Sequence, residues 1–179
     1  MDPLKQASPT SVMSLSTVVR DALPVLRAAI ANAAVLRIAT DENAPHVDVD
    51  PVVMERLLLI LVRNACQAIR QPYGVIEIGV AGMIGSAGNG LPFVRLTVAD
   101  NGVGMEGATV GLLRQGLLEP ATSHGNEPGL RMVHRAVCAH GGRLQIDSQP
   151  GCGTTVRIDL PAVSKPSGGD RNSGERRSP

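Results

Sequence analysis

The segment VADNGVGM, residues 98–105, places a carboxylate and two glycines directly after a hydrophobic strand pattern. Every second residue from Val94 to Val98 is aliphatic, which predicts a half-buried strand that ends at Asp100. Asp-Asn-Gly is an ordinary turn former, in which Gly102 would supply a positive φ. A carboxylate at the mouth of a buried strand can also accept a hydrogen bond from an exocyclic amine, and neighbouring glycines let a flat ring approach the backbone. The D-x-G-x-G spacing alone leaves both interpretations open.

Asn64 is the second candidate, because it lies along the apolar face of a predicted helix. That helix begins with a capping carboxylate, Asp50, followed by a proline, and it runs to about Arg70. An amide on an apolar face is costly unless its hydrogen bonds are satisfied. The side chain is therefore either bonded to nearby backbone or offers its oxygen to a metal ion or a phosphate in a cleft. The apolar stripe consists of Leu57, Ile60, Leu61, Ala65, Ala68 and Ile69.

The third candidate is the start of a predicted helix from Gly129 to His140, which the pair Gly141-Gly142 closes. Glycines precede this helix in the stretch HGNEPGL, and the free amides and dipole of such a helix start suit a polyphosphate. The alternative is an ordinary loop followed by a capped helix.

Strands and helices must position these residues. Residues 105–128 have a mixed pattern that includes a predicted mobile loop. We expect disorder at 1–14 and in the polar tail 162–179, which leaves one domain at 15–161. Apolar spacing predicts a first helix at 16–33, and then strands at 35–39, 74–81, 91–100, 143–149 and 154–161.

Composition excludes several classes of protein. The chain has 179 residues, of which 43% are hydrophobic, enough for one packed core. Lys plus Arg number 17 against 16 for Asp plus Glu, and aromatics are only 1%, which argues against a nucleic-acid binder. Three scattered cysteines without a C-x-x-C pair indicate neither a zinc site nor a disulfide framework. The start lacks the regions of a signal peptide and the apolar run at 57–62 is too short to enter a membrane, so we expect a soluble cytoplasmic protein.

Taken in order, the candidate motifs form a pattern that resembles the ATP-binding catalytic domain of sensor histidine kinases, in the superfamily that includes gyrase-type and heat-shock chaperone ATPases. The resemblance covers roughly Ser14 to Pro161 and is carried by LLLILVRNACQAI, VADNGVGM and GLRMVHRAVCAHGGRLQIDSQPGCGTTVRIDLP. The stretch VRNACQAI looks most like the nitrogen-regulatory branch. The fold implied is an α/β two-layer sandwich with a mixed, mainly antiparallel sheet, helices on one face and a nucleotide cleft between the layers.

On the base side, the resemblance assigns Asp100 to the carboxylate that accepts from the adenine amino group, directly and through water. Gly102 and Gly104 match the glycines that lie against the purine. Thr154 matches the threonine that binds the water next to that aspartate.

On the phosphate side, Asn64 matches the asparagine that holds the Mg²⁺ ion bridging the phosphates. Gly129 and Leu130 match the last glycine and leucine of the second glycine box, where a helix start faces the phosphates. His124 lies where such kinases often carry a basic lid residue, which makes it a candidate contact to the γ-phosphate.

The sequence departs from the family pattern in three places. Ile60 replaces a second asparagine of the kinases, or the glutamate base of the wider family, and can neither bind a phosphate nor activate water. Glu127 and Pro128 stand where Gly and Leu are expected in the second glycine box, and a carboxylate there would repel a triphosphate unless magnesium intervenes. The lid between Met105 and Pro128 lacks its phenylalanine.

The resemblance implies an ATP·Mg²⁺-binding kinase module that donates a phosphoryl group to a histidine on a separate or missing dimerisation domain and, through it, serves a response regulator. No direct membrane insertion or nucleic-acid binding is expected. The alternative is a degenerate module that docks a kinase or a response regulator without catalysis. A serine kinase of the anti-sigma type ranks last, because it would keep an acidic residue at position 60.

Overall fold

The computed structural model describes residues 10–70, 72–85, 91–118 and 129–164. Five strands form the main sheet in the order β2-β4-β5-β7-β6, and two short strands, β1 and β3, pair separately. In chain order the elements are β1 (Ser11–Met13), α1 (Leu15–Ile30), β2 (Val35–Thr40), β3 (Val47–Val49), α2 (Pro51–Ala68), β4 (Val75–Ile84), β5 (Pro92–Asp100), α3 (Gly107–Leu118), α4 (Gly129–Ala139), β6 (Arg143–Gln149) and β7 (Gly153–Pro161).

The main sheet is mixed and mostly antiparallel, because only β2 and β4 run parallel. Aliphatic side chains from one face of this sheet form a single buried core with α1, α2 and α4. The other face is polar, as in the pair Arg95 and Asp159, where the guanidinium donates two hydrogen bonds of 2.7 and 2.8 Å. The predicted two-layer α/β fold is therefore confirmed.

A local cap and a long-range hydrogen bond hold the start of α2 where the sequence predicts it. The side chain of Asp50 caps the helix and accepts from the backbone amides of Val52 and Val53 at 2.8 and 3.3 Å. His140, at the end of α4, accepts from the Asp50 amide through Nε2 at 3.2 Å, while its Nδ1–H donates to the Ala136 carbonyl at 2.7 Å. The start of α2 and the end of α4 are thus fixed to each other.

Described secondary structure begins at Ser11 and the described residues continue to position 164, a little beyond the domain predicted at 15–161, whose boundaries stay a prediction. Ser11–Met13 form a strand because they find a partner in β3, which is distant in sequence. After β7, the Val163 amide donates to the His46 carbonyl at 2.8 Å. The rest of both predicted tails, 1–9 and 165–179, lies outside the described residues.

Helix α3 was not predicted within the mixed stretch 105–128. Three glycines lie within its sequence GATVGLLRQGLL, so its helical propensity is low and its apolar pattern is weak. A tertiary contact favours it instead, since Arg114 donates to the Ile146 carbonyl of β6 at 2.7 Å. Across the described ranges, no helix is long and apolar enough to cross a membrane.

Candidate functional site

Asp100 ends β5 next to Thr154 of β7, its direct partner in the antiparallel register. Because directly paired residues project to the same face of a sheet, both side chains lie on the helix-covered face. The Asp100 carboxylate is half-buried, and its Oδ1 accepts from the Gly102 amide at 2.8 Å. The strand thus ends in a partly desolvated carboxylate that is held in place by its own loop.

Burial raises the pKa of the Asp100 carboxyl above its ordinary value, while the backbone amides of Gly102 and Thr154 oppose the shift. Only the ionised carboxylate is purely an acceptor. Holding the ionised form at this site costs free energy that a bound donor, such as an exocyclic amine, would offset.

The two glycines of D-x-G-x-G have different physical roles, and of the two interpretations left open by the sequence, a positive φ at Gly102 is not observed. Gly104 has the positive φ, at +65°, and a Cβ there would collide with the carbonyl of Gln149. Gly102 is required by close approach, because a Cβ would lie 2.7 Å from the Ala68 carbonyl oxygen. Together they let the loop after Asp100 lie against both α2 and β6.

We expect Gly104→Ala to lower the free energy of unfolding by about 2 kcal/mol or more, because a left-handed φ and a backbone clash are combined at one residue. Gly111→Ala is the matched control, since nothing lies within 4 Å of an added Cβ in the middle of α3. That control should be neutral or stabilise the protein by up to ~1 kcal/mol. Urea unfolding of both variants measures the difference, and equal stabilities would contradict this account of the loop.

Asn101 ties the same loop to the start of β4. Its Oδ1 accepts from the Val75 amide at 2.8 Å, and its Nδ2 donates to the Tyr73 carbonyl at 3.0 Å. The middle residue of the Asp-Asn-Gly motif therefore has a structural role and leaves Asp100 as the functional candidate.

Ser148 of β6 is a residue of this site that sequence reasoning missed. Its Oγ lies 2.9 Å from the Met105 amide, 3.0 Å from the Gly153 carbonyl oxygen and 2.9 Å from the Thr154 hydroxyl. It therefore links the loop after Asp100 to the start of β7, which carries Thr154. A single serine in RLQIDSQ gives no local signal, because its importance arises from pairing with Thr154 across the sheet.

Helix α2 connects the loop after Asp100 to the start of α4. Near the C-terminal end of α2, the Val103 amide donates to the Ala68 carbonyl at 3.0 Å. Two turns earlier, a Cβ on Gly129 would lie only 2.8 Å from Ile60 Cγ2. Asn64 lies midway, about 6 Å along the helix axis from each contact. It is half-buried, and no hydrogen bond to its side chain is found in the part of the chain that the structure describes.

Only some of the residues predicted to face the phosphates are among the described residues. Gly129 opens α4 directly against α2, and the partly buried Leu130 packs on the core. His124, Glu127 and Pro128 lie outside the described residues. No group of three or more His, Cys, Asp or Glu side chains among residues 10–70, 72–85, 91–118 and 129–164 could hold a metal. The Asn64 amide oxygen, which has no hydrogen bond to another described residue, fits Mg²⁺ that takes most of its ligands from phosphate and water.

Comparison with known proteins shows the family of the chain. Residues 49–164 match the family described as histidine kinase-, DNA gyrase B- and HSP90-like ATPase. The sensor histidine kinase ZraS of Escherichia coli K12 is 32% identical over 126 residues, which cover 70% of this chain and 25% of that protein. The methanogenesis regulatory histidine kinase FilI of Methanothrix harundinacea is 31% identical over 131 residues, covering 70% of this chain and 14% of FilI. The chain thus spans a quarter or less of these two relatives.

Solved structures agree on the fold. The catalytic domain of histidine kinase ThkA superposes with a TM-score of 0.68 at 19% identity, covering 88% of this chain and 100% of that one. The mycobacterial sensor histidine kinase MprB gives a TM-score of 0.64 at 21% identity, covering 87% of this chain and 100% of that one.

Proposed function

Because the chain belongs to the histidine kinase-, DNA gyrase B- and HSP90-like ATPase family, we propose that it binds ATP with Mg²⁺ and donates the γ-phosphoryl group to a histidine on another domain. The observation that carries this proposal is the spacing along α2. The loop after Asp100 contacts α2 at Ala68, the start of α4 contacts it at Ile60, and Asn64 lies between them. An adenine at one end and phosphates at the other would straddle Asn64.

On the base side, Asp100 accepts from the adenine amino group, and Thr154 binds the ligand or its water beside the carboxylate. The raised pKa of Asp100 supports this role, because an amine donor stabilises the ionised form that burial disfavours. Gly102 and Gly104 keep side chains out of the loop that faces the purine.

On the phosphate side, the oxygen of Asn64 would hold Mg²⁺, which would neutralise phosphate charge when bound. The amides at Gly129 and Leu130 open α4 and suit phosphate oxygens. His124 remains a proposed contact to the γ-phosphate. Phosphoryl transfer depends mainly on positioning and charge neutralisation. An isoleucine at position 60, which cannot act as a base, is therefore compatible with a protein that donates phosphoryl groups.

The proposed partners are a histidine-bearing dimerisation domain and, through it, a response regulator in the cytoplasm. A second candidate function is docking without catalysis. The contact between Ile60 and Gly129 favours it, because an apolar side chain there stands against the helix start that would face the phosphates.

Asn64→Ala tests the proposal through the metal dependence of ATP binding. We expect wild-type protein to bind ATP at least about tenfold more tightly with Mg²⁺ than in chelator, and Asn64→Ala to lose most of that difference. Gln67→Ala is the matched control, because Gln67 is an exposed polar residue one turn further along α2 and should behave as wild type. Equal wild-type affinities in Mg²⁺ and in chelator would refute the metal assignment and favour a merely structural asparagine.

A further inference from the structure

We propose that Ser148 is a positioning residue that fixes the Thr154 hydroxyl as a hydrogen-bond acceptor, so that this site selects an amino-purine over an oxo-purine. The inference rests on the proposed nucleotide function and adds a cause for base selectivity. It follows from counting the protons available to three groups around one serine oxygen.

A serine hydroxyl has one proton to donate and two lone pairs to accept. The Met105 amide fills one lone pair, since an N–H can only donate, at 2.9 Å. The Gly153 carbonyl has no proton, so its 3.0 Å contact with Ser148 Oγ requires the proton of the serine. The remaining 2.9 Å contact, between the Ser148 and Thr154 hydroxyls, must then use the proton of Thr154.

The opposite arrangement is disfavoured. If Ser148 donated to Thr154, the hydroxyl oxygen of Ser148 and the carbonyl oxygen of Gly153 would face each other at 3.0 Å with no proton between them. Two acceptors at that distance repel, and the Ser148 oxygen would also lose its second donor. The first arrangement leaves the serine with one donated and two accepted hydrogen bonds, which fully satisfies it.

Thr154 therefore has no proton left for a ligand, and its oxygen presents only lone pairs. Its direct cross-strand neighbour is Asp100, whose ionised carboxylate is also purely an acceptor. Two adjacent acceptors match the N–H groups of an amine at C6 of a purine. A carbonyl oxygen at C6 would face the Thr154 oxygen and the Asp100 carboxylate as a third acceptor. These acceptors would then lack a donor in a half-buried site.

The test compares ATP with ITP, which carries a carbonyl oxygen where ATP carries the amine. Calorimetric titration in Mg²⁺ should give a wild-type preference for ATP of about a hundredfold or more. Ser148→Ala frees the Thr154 proton to point at the ligand, so this preference should fall about tenfold. Ser148→Thr keeps the hydroxyl and should retain the preference within about twofold.

A double-mutant cycle separates positioning from a structural role. Thr154→Val should itself reduce the preference, and in that background Ser148→Ala should change it no further. Thr155→Val, on the opposite face of the same strand, is the control and should keep the wild-type ratio. If Ser148→Ala lowers thermal stability but leaves the ATP-to-ITP ratio unchanged, Ser148 is only structural and the inference is overturned. Wild-type protein that binds neither nucleotide would instead overturn the proposed function, and this inference with it.

Discussion

Asp100→Asn should lower the affinity for ATP at least tenfold, equivalent to ~1.4 kcal/mol, and at the same time make the protein more stable at neutral pH. The loss of affinity follows because the variant can turn an NH₂ group towards the adenine amine, which places one donor against another. The structure favours that orientation, since the amide oxygen of the variant can still accept from Gly102 as Asp100 Oδ1 does at 2.8 Å.

The gain in stability follows from the pKa of Asp100, which burial raises in the folded protein. A carboxyl whose folded pKa lies above its unfolded value favours folding when it is protonated. That contribution is present below the unfolded pKa and is lost as the pH rises through the folded pKa. Asparagine does not ionise, so the variant should be more stable than wild type at pH values above the folded pKa of Asp100. The difference in stability should shrink towards acid pH.

Thermal unfolding from about pH 3 to about pH 8 measures this difference, and titration with ATP measures the affinity. Asp48→Asn makes the same change of charge at an exposed position on β3 and should affect neither quantity strongly. An unchanged dissociation constant for ATP in Asp100→Asn would show that adenine does not bind at this carboxylate.

The second large effect concerns catalysis by the chain alone. Purified protein should show negligible ATP hydrolysis and no autophosphorylation, because Ile60 cannot activate water and neither His134 nor His140 is expected to act as a phosphoacceptor. His134 lies beside Cys138 on α4, with 3.6 Å between Nε2 and Sγ. His140 is hydrogen-bonded to the Asp50 amide and the Ala136 carbonyl. Transfer should appear only when a histidine-bearing dimerisation domain brings an imidazole in line with the γ-phosphate.

Incubation with labelled ATP, followed by acid treatment, separates the outcomes. Label that appears on the supplied domain and is lost in acid would match a phosphohistidine, and replacing the acceptor histidine by alanine should abolish it. Because Glu127 and Pro128 alter the second glycine box, we expect the transfer to be slow. Acid-labile label on this chain alone would contradict the account, whereas ATP binding without transfer to any cognate domain would favour the docking module.

Local signals were sufficient to predict most of the fold and the residues that end its elements. The Asp-Pro cap of α2 and the alternating pattern that ends at Asp100 depend only on neighbouring residues, and both were predicted correctly. Strand β1 and helix α3 were missed for the opposite reason. Each is stabilised by a partner that is distant in sequence, β3 for the strand and the Ile146 carbonyl for the helix.

The same distinction applies to the candidate site. Asn64 stood out because an amide on an apolar stripe conflicts with its local surroundings. Ser148 did not, since its three contacts come from a loop and from the neighbouring strand β7, which only the folded chain brings together. The close approach of Gly102 to Ala68 was equally invisible in the sequence, because it is a tertiary property.

Calorimetric titration of the folded wild-type chain with ATP, with and without Mg²⁺, tests the central claim most directly. The account predicts saturable binding of one ATP per chain, tighter with Mg²⁺ than in chelator. A folded chain that gives no binding heat with ATP·Mg²⁺, and that ATP does not stabilise against thermal unfolding, would contradict it.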